Sequence, residues 1–271
     1  MREIAQPARE LKMLQRILID RVLSELPVHD AARAYRKGLS IRDNAVPHAG
    51  SGPILKMDFE NFFPSIRSTD WESYCDQNNI LDPADRRISS LIFFRRAKHE
   101  RVLKLSIGAP SSPMLCNILL REFDELVAIG ADRRRIVYTR YADDLTFSGQ
   151  RMGMLKDMVK IVEQSVRTIK QPHLTINKEK TTFITSQRRR VVTGVTLAND
   201  GSLSLGHDRK RKISAQVHHA SLGKLSAIEM GVLAGQLAFV KVVEPAFLER
   251  LRSRYGIKVI ELIQHSVAPP E

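Results

Sequence analysis

Two adjacent carboxylates, Asp143 and Asp144, stand between strand-forming runs, Ile136-Val137-Tyr138-Thr139 before them and Leu145-Thr146-Phe147 after. Both runs are β-branched, aromatic or apolar, and Ala142-Asp143-Asp144 is short enough to be a hairpin turn. Two partly desolvated carboxylates held close together resist ionising unless a cation offsets them, and a divalent metal is the simplest counter-charge. Taken alone, the pair reads as a solvated acidic turn. Two upstream stretches change that. Asp58, in Asp58-Phe59-Glu60-Asn61-Phe62-Phe63, is a carboxylate at the end of an expected strand; Gly108-Ala109-Pro110-Ser111-Ser112-Pro113 is a loop opening a helix. Two-metal phosphoryl transfer needs carboxylates from separate elements converging on two cations roughly 3.5–4 Å apart, one activating a hydroxyl and one holding a triphosphate. A strand-end Asp58 beside a hairpin-tip Asp143 supplies that geometry. The glycine loop lets backbone come close to a nucleotide and template.

These residues need a frame. Residues 8–26 read as an amphipathic helix with Leu11, Leu14, Leu18, Val22 and Leu26 on one face, ended by Pro27. The segment Ala31 to Ser51 is mixed and broken by glycines. Pro53 to Phe59 is a strand, Ser68-Thr69-Asp70 caps a helix running to about Asn78, and Asp82-Pro83 begins another. A helix at 112–129 carries Leu115, Leu119, Phe123 and Leu126 inward, and Leu155, Met158, Val162, Val166 and Ile169 mark one more. Strands are expected at Thr181–Thr185 and Val191–Leu197, with Asn199-Asp200-Gly201 a hairpin turn before Ser202–Leu205. From His207 onward the pattern is helical, at about 208–222, 226–241 and 245–255, the last opening with Pro245.

The 271 residues are 43% hydrophobic, enough for a substantial core in two or three subdomains. No apolar run approaches the roughly 18 residues that span a membrane, and the N-terminus is no signal peptide. Cys75 and Cys116 lack metal-ligand spacing and read as reduced thiols of a cytoplasmic protein. A formal charge of +13 favours a polyanionic partner through long-range attraction and counterion release, without indicating any chemistry.

The three stretches, in this order, resemble motifs A, B and C of reverse transcriptases. Asp58 lies 85 residues before Asp143 and Gly108 lies 35 before it, both ordinary spacings for that family. The resemblance implies that Asp58, Asp143 and Asp144 form the catalytic carboxylate set and hold two Mg²⁺ ions, with the Phe59 carbonyl as a further ligand. It makes Phe63 the sugar gate, an aromatic ring that would clash with a ribose 2′-OH; packing beside Phe62 is the other reading. Gly108 and Ile107 fall where the family contacts the incoming nucleotide. Asn177-Lys178-Glu179-Lys180 resembles motif D, which a solvated charge run would explain almost as well.

Two further stretches resemble the bacterial retron group: Asn44-Ala45-Val46-Pro47-His48 its Asn-Ala-x-x-His signature, and Val192-Thr193-Gly194 its Val-Thr-Gly signature. The resemblance associates Asn44, His48, Val192, Thr193 and Gly194 with recognition of a cognate structured RNA; outside this context His48 reads as a loop histidine satisfied by backbone. Arg188-Arg189-Arg190 and Arg209, Lys210, Arg211 and Lys212 would suit phosphate contacts, or else are solvated runs. A retron-type enzyme implies an RNA-directed DNA polymerase of α+β class with a right-hand fold: fingers, a palm of antiparallel sheet flanked by helices, and a helical thumb. The expected division is 1–52 fingers, 53–200 palm with an inserted fingers segment at about 70–105, and 201–271 thumb. Its substrates would be deoxynucleoside triphosphates and one structured non-coding RNA serving as primer and template. Synthesis would start from an RNA 2′-OH and leave an RNA–DNA hybrid. Such systems act in anti-phage defence, often with a separate effector protein.

Two departures stand out. Ser106 and Ile107 occupy places where relatives commonly have Pro-Gln, so the glutamine contact to the nucleotide is lost. The family's basic fingers hairpin precedes the residue matching Arg2, where this chain starts, which leaves Arg2 as the candidate triphosphate contact. The rival readings are a group II intron or diversity-generating reverse transcriptase, and an RNA-binding scaffold that keeps the fold without polymerising.

Overall fold

A computed structural model of the chain describes residues 4–50, 52–98 and 100–266. In chain order the helices are α1 (Arg9–Arg21), α2 (Ile41–Ala45), α3 (Phe62–Ser65), α4 (Ser68–Asn78), α5 (Pro83–Phe93), α6 (Ser112–Leu119), α7 (Arg121–Asp132), α8 (Met152–Thr168), α9 (His207–Ser221), α10 (Ala227–Val243), α11 (Pro245–Tyr255) and α12 (Ile257–Gln264). The strands are β1 (Ile54–Asp58), β2 (Arg95–Arg96), β3 (Leu103–Lys104), β4 (Val137–Tyr141), β5 (Asp144–Ser148), β6 (Thr182–Ile184), β7 (Arg190–Val192), β8 (Val195–Leu197) and β9 (Leu203–Ser204). They form two compact units, Met1–Leu39 with Gly52–Thr185, and Ser40–Ser51 with Ser186–Glu271.

The first unit is built on an antiparallel sheet in the order β4-β5-β1-β6. Strands β1 and β5 are central and buried along nearly their whole length, so Ile54, Leu55, Met57, Leu145 and Phe147 leave water together. Helices α7 and α8 pack on this sheet through Phe123, Val127, Leu155, Met158 and Val162, the last three on the face that the 3.6-residue spacing predicts. Local chemistry sets the helix starts: the Asp82 carboxylate accepts from the N–H groups of Ala84 and Asp85, both at 2.9 Å, and Pro83 follows at the first helical position. Both cysteines are free and buried, and burial pushes each thiol up to about 12.

Three expectations need correction. The helix expected at 112–129 breaks at Leu120, whose ψ of 7° leaves the helical range, and continues as α7. In α1 it is Gln15, not the leucine stripe, that is fully buried; Leu14 is 44% exposed, while the Gln15 amide donates to the Ile92 carbonyl at 2.8 Å. The single strand expected over Val191–Leu197 is a hairpin, because Thr193 and Gly194 both take positive φ (45° and 80°) and reverse the chain.

In the second unit β7, β8 and β9 form a three-stranded antiparallel sheet. The Asn199-Asp200-Gly201 turn joins its last two strands, with the Asp200 carboxylate accepting from the Ser202 N–H. Helices α9 to α12 bury Ile213, Val217, Leu233, Leu237, Phe247, Leu251 and Ile260. Helix α2 packs on β8 and α10, so the segment 40–51 folds with residues far beyond it in sequence. Among the described residues no helix is long and apolar enough to cross a membrane.

Candidate active site

Asp58 closes β1 and Asp144 opens β5, and the pairing of the two strands sets them directly opposite each other. The Phe59 N–H donates to the Asp143 carbonyl at 3.3 Å; on the other side of β1 the Asn177 N–H donates to the Asp58 carbonyl at 2.7 Å. The strand end is therefore zipped from both flanks. Asp58 is 8% exposed, its Oδ2 accepting from Lys180 Nζ at 2.9 Å while Oδ1 is buried without a hydrogen-bond partner. Burial raises the Asp144 carboxyl above its ordinary value; Lys56 opposes this, and the negative Asp143 and Asp58 reinforce it. Among the described residues no group of three or more His, Cys, Asp or Glu is gathered closely enough to hold a metal ion. The donor set, hard carboxylate oxygens with one buried and partnerless, nonetheless fits a hard divalent cation.

The hairpin tip is held from behind. Ala142 takes φ of 57°, a left-handed conformation that costs a residue with a Cβ roughly 1–2 kcal/mol. Its carbonyl accepts from Arg140 Nη1 at 3.1 Å. Arg140 is fully buried and forks onto Asp124, with Nε to Oδ1 at 2.8 Å and Nη2 to Oδ2 at 2.6 Å. Its Nη1 also reaches Asn117 Oδ1 at 3.1 Å, and Tyr138 donates its hydroxyl to Asp124 at 2.7 Å. Burial alone would lower the Arg140 pKa; the Asp124 carboxylate overrides it and holds the guanidinium charged. A hydrogen bond from a charged donor contributes roughly 1.5–3 kcal/mol. That is enough to offset the strain of the turn.

A cavity of about 400 Å³ opens in front of Asp143, and Phe63, Ser106, Ile107, Tyr35, Arg95 and Lys104 are among its walls. Phe63 is half-buried, meets Phe62 edge-on at 5.4 Å and forms part of the cavity wall. Gly108, with φ of 105°, borders an adjoining cavity; a Cβ there would come within 3.3 Å of Gln6 and Ile4 side chains. Arg2 lies outside the described residues. Sequence reasoning missed Tyr35, Arg95, Lys104 and the Arg140 network. Only Arg140 carried a signal: a cation inside an otherwise strand-forming run demands a buried partner.

Asn44, His48 and the Val192-Thr193-Gly194 hairpin all lie in the second unit. The Asn44 amide approaches Thr193 Oγ1 at 3.5 Å, and that hydroxyl donates to the Ile41 carbonyl at 3.3 Å. Asn44, His48 and Val192 are buried, and the exposed tip of the hairpin is Gly194. Arg190, read as a phosphate contact, is 1% exposed and donates to the carbonyls of Gly50 and Ala198. Lys210 is likewise engaged, bonded to Glu244 at 2.7 Å beside Arg250. Arg209 stacks 4.7 Å over Phe239 and, with Lys212, lines a surface groove; Arg211 is exposed.

The sequence profile of the reverse transcriptase (RNA-dependent DNA polymerase) family matches residues 1–197. Three Escherichia coli proteins are similar over most of their length. Retron Ec83 reverse transcriptase is 38% identical, across 97% of this chain and 85% of that protein. Retron Ec86 reverse transcriptase is 32% identical, across 94% and 78%. Retron Ec73 reverse transcriptase is 32% identical, across 98% and 87%.

Proposed function

Since the chain belongs to the reverse transcriptase family, in its retron group, and is an RNA-directed DNA polymerase, we propose that it copies a cognate structured RNA from the site at Asp58, Asp143 and Asp144. The observation that carries this reading is the buried, partnerless Asp58 Oδ1 opposite Asp144, with a cavity lined by Asp143 in front. Asp58, Asp143, Asp144 and the Phe59 carbonyl would hold two Mg²⁺ ions, which would supply Lewis acidity to a priming hydroxyl and to departing pyrophosphate. Phe63 narrows the cavity against a ribose 2′-OH and so selects deoxynucleoside triphosphates. Ile107 and Gly108 pack on the nucleotide, and Arg95 and Lys104, the latter paired with Glu100 at 2.8 Å, line the same cavity. Arg2 remains a triphosphate contact to be tested.

The same reading assigns the first unit to fingers and palm and α9 to α12 to the thumb. Residues Asn44, His48 and Val192 act in RNA recognition by holding the Thr193-Gly194 tip, while Arg209, Arg211 and Lys212 meet phosphates. The retron resemblance supports priming from an RNA 2′-OH, an RNA–DNA hybrid product, and a cytoplasmic role in anti-phage defence beside a separate effector protein. Primer extension on an RNA template, with Mg²⁺ and deoxynucleotides, tests the core of it. The wild type makes DNA and an Asp143→Asn/Asp144→Asn variant makes none, while both bind RNA. RNA binding by both with extension by neither refutes the assignment of the site.

A further inference from the structure

We propose that Arg140 is a positioning residue for nucleotidyl transfer: its guanidinium, oriented by Asp124 and Asn117, fixes the Ala142 carbonyl and thereby sets Asp143 as a cation ligand. The inference rests on the reading of Asp143 as a metal ligand. Every part of the clamp is itself anchored. The Arg140 N–H donates to the Ala31 carbonyl at 2.7 Å, and its carbonyl accepts from the Arg33 N–H at 2.8 Å. The Asn117 amide is orientated by its own bond to the Ala34 carbonyl at 2.9 Å, which turns Oδ1 toward Arg140 Nη1. One planar guanidinium thus serves a carboxylate with two nitrogens and the turn with the third, a division that an ammonium cannot make. Arg140, Asp124 and Asn117 are all within 2% of full burial, so bulk water does not compete for the Ala142 carbonyl.

The third arm offsets the strain at Ala142 and also ties down the turn beside Asp143. Buried ion pairs are often replaceable by apolar residues of similar volume without loss of stability, whereas the Nη1 contact to Ala142 falls on the residue beside Asp143. Two variants separate the roles. Arg140→Lys keeps the charge opposite Asp124 and loses the arm to the turn. Tyr138→Phe/Asp124→Leu/Arg140→Met removes the network and leaves no buried charge unpaired. For each, Mn²⁺ binding to the RNA-free protein is followed by electron paramagnetic resonance, and kcat and KM for a deoxynucleotide are measured well below its own melting midpoint.

Loss of an outer support of this kind typically costs about 10- to 100-fold in metal affinity or activity. The expected result is at least about a tenfold weaker Mn²⁺ affinity and a comparable fall in kcat, with KM changed less than about threefold. Folded variants that bind Mn²⁺ and turn over within about twofold of wild type overturn the proposal. So does a loss that disappears on cooling further below the midpoint, which marks a structural role. Asp143→Asn runs alongside: if it binds Mn²⁺ and polymerises normally, the reading of Asp143 fails, whatever Arg140 does.

Discussion

Replacing Asp124 with asparagine takes one charge out of a pair that water does not reach, since both side chains are 0% exposed. Asparagine keeps one acceptor oxygen but turns an N–H₂ toward a guanidinium that only donates. Burial then acts on Arg140 without its chief opponent, and the Tyr138 hydroxyl loses its charged acceptor. Breaking a buried pair from one side costs roughly 3–5 kcal/mol. For a domain of this size each kcal/mol moves the melting midpoint by roughly 2–4 °C, so Asp124→Asn should lower it by roughly 6–20 °C. Trp71, the chain's one tryptophan, is fully buried in the first unit and reports on that unit directly. Urea unfolding followed by its fluorescence should show an earlier midpoint at unchanged slope. A loss of under about 1 kcal/mol, the size of an ordinary substitution, would refute the account of the pair.

Glu244 gives a pH signature in the second unit. Burial pushes its carboxyl up, but the Lys210 and Leu205 hydrogen bonds, the Lys210 charge and Arg250 outweigh it and hold the group below its ordinary 4.5. A depressed carboxyl stabilises the fold above the unfolded pKa, and that stability fades as pH falls through the folded value. Glu244→Gln should therefore melt earlier than wild type at pH 7, the gap closing below about pH 4.5; a gap constant down to pH 3 contradicts this. Phe63→Val should raise ribonucleotide incorporation relative to deoxynucleotide by about tenfold or more, read from single-nucleotide extension. An unchanged ratio in an active variant would leave Phe63 only its packing against Phe62.

Many elements of the frame were legible because their causes are local. Asp82-Pro83 carries a cap and a first-turn proline, Asn199-Asp200-Gly201 a turn, and Leu155, Met158 and Val162 a helical stripe. The errors arose where local signals conflicted with packing. Thr193 lies among β-branched neighbours and reads as strand, yet Thr193-Gly194 turns because the hairpin closes there. Leu120 continues an apolar helical pattern across a break. Gln15 is polar and reads as surface, yet it is buried with its amide donating to the Ile92 carbonyl.

The sequence by itself determined the order of the carboxylate, glycine-loop and Asp-Asp stretches, and with them the family, because those residues are constrained at short range by turns and strand ends. Tertiary structure alone decided which charges are available. Arg190 and Lys210 read as surface cations like Arg209 and Lys212, but the first is enclosed among the carbonyls of Gly50 and Ala198 and the second is bonded to Glu244. Arg140, Asp124 and Asn117 lie on different elements, and only the folded packing brings them behind Ala142. Whether a charge faces water, a carbonyl or a carboxylate depends on groups distant in sequence, and desolvation acts only once they have met.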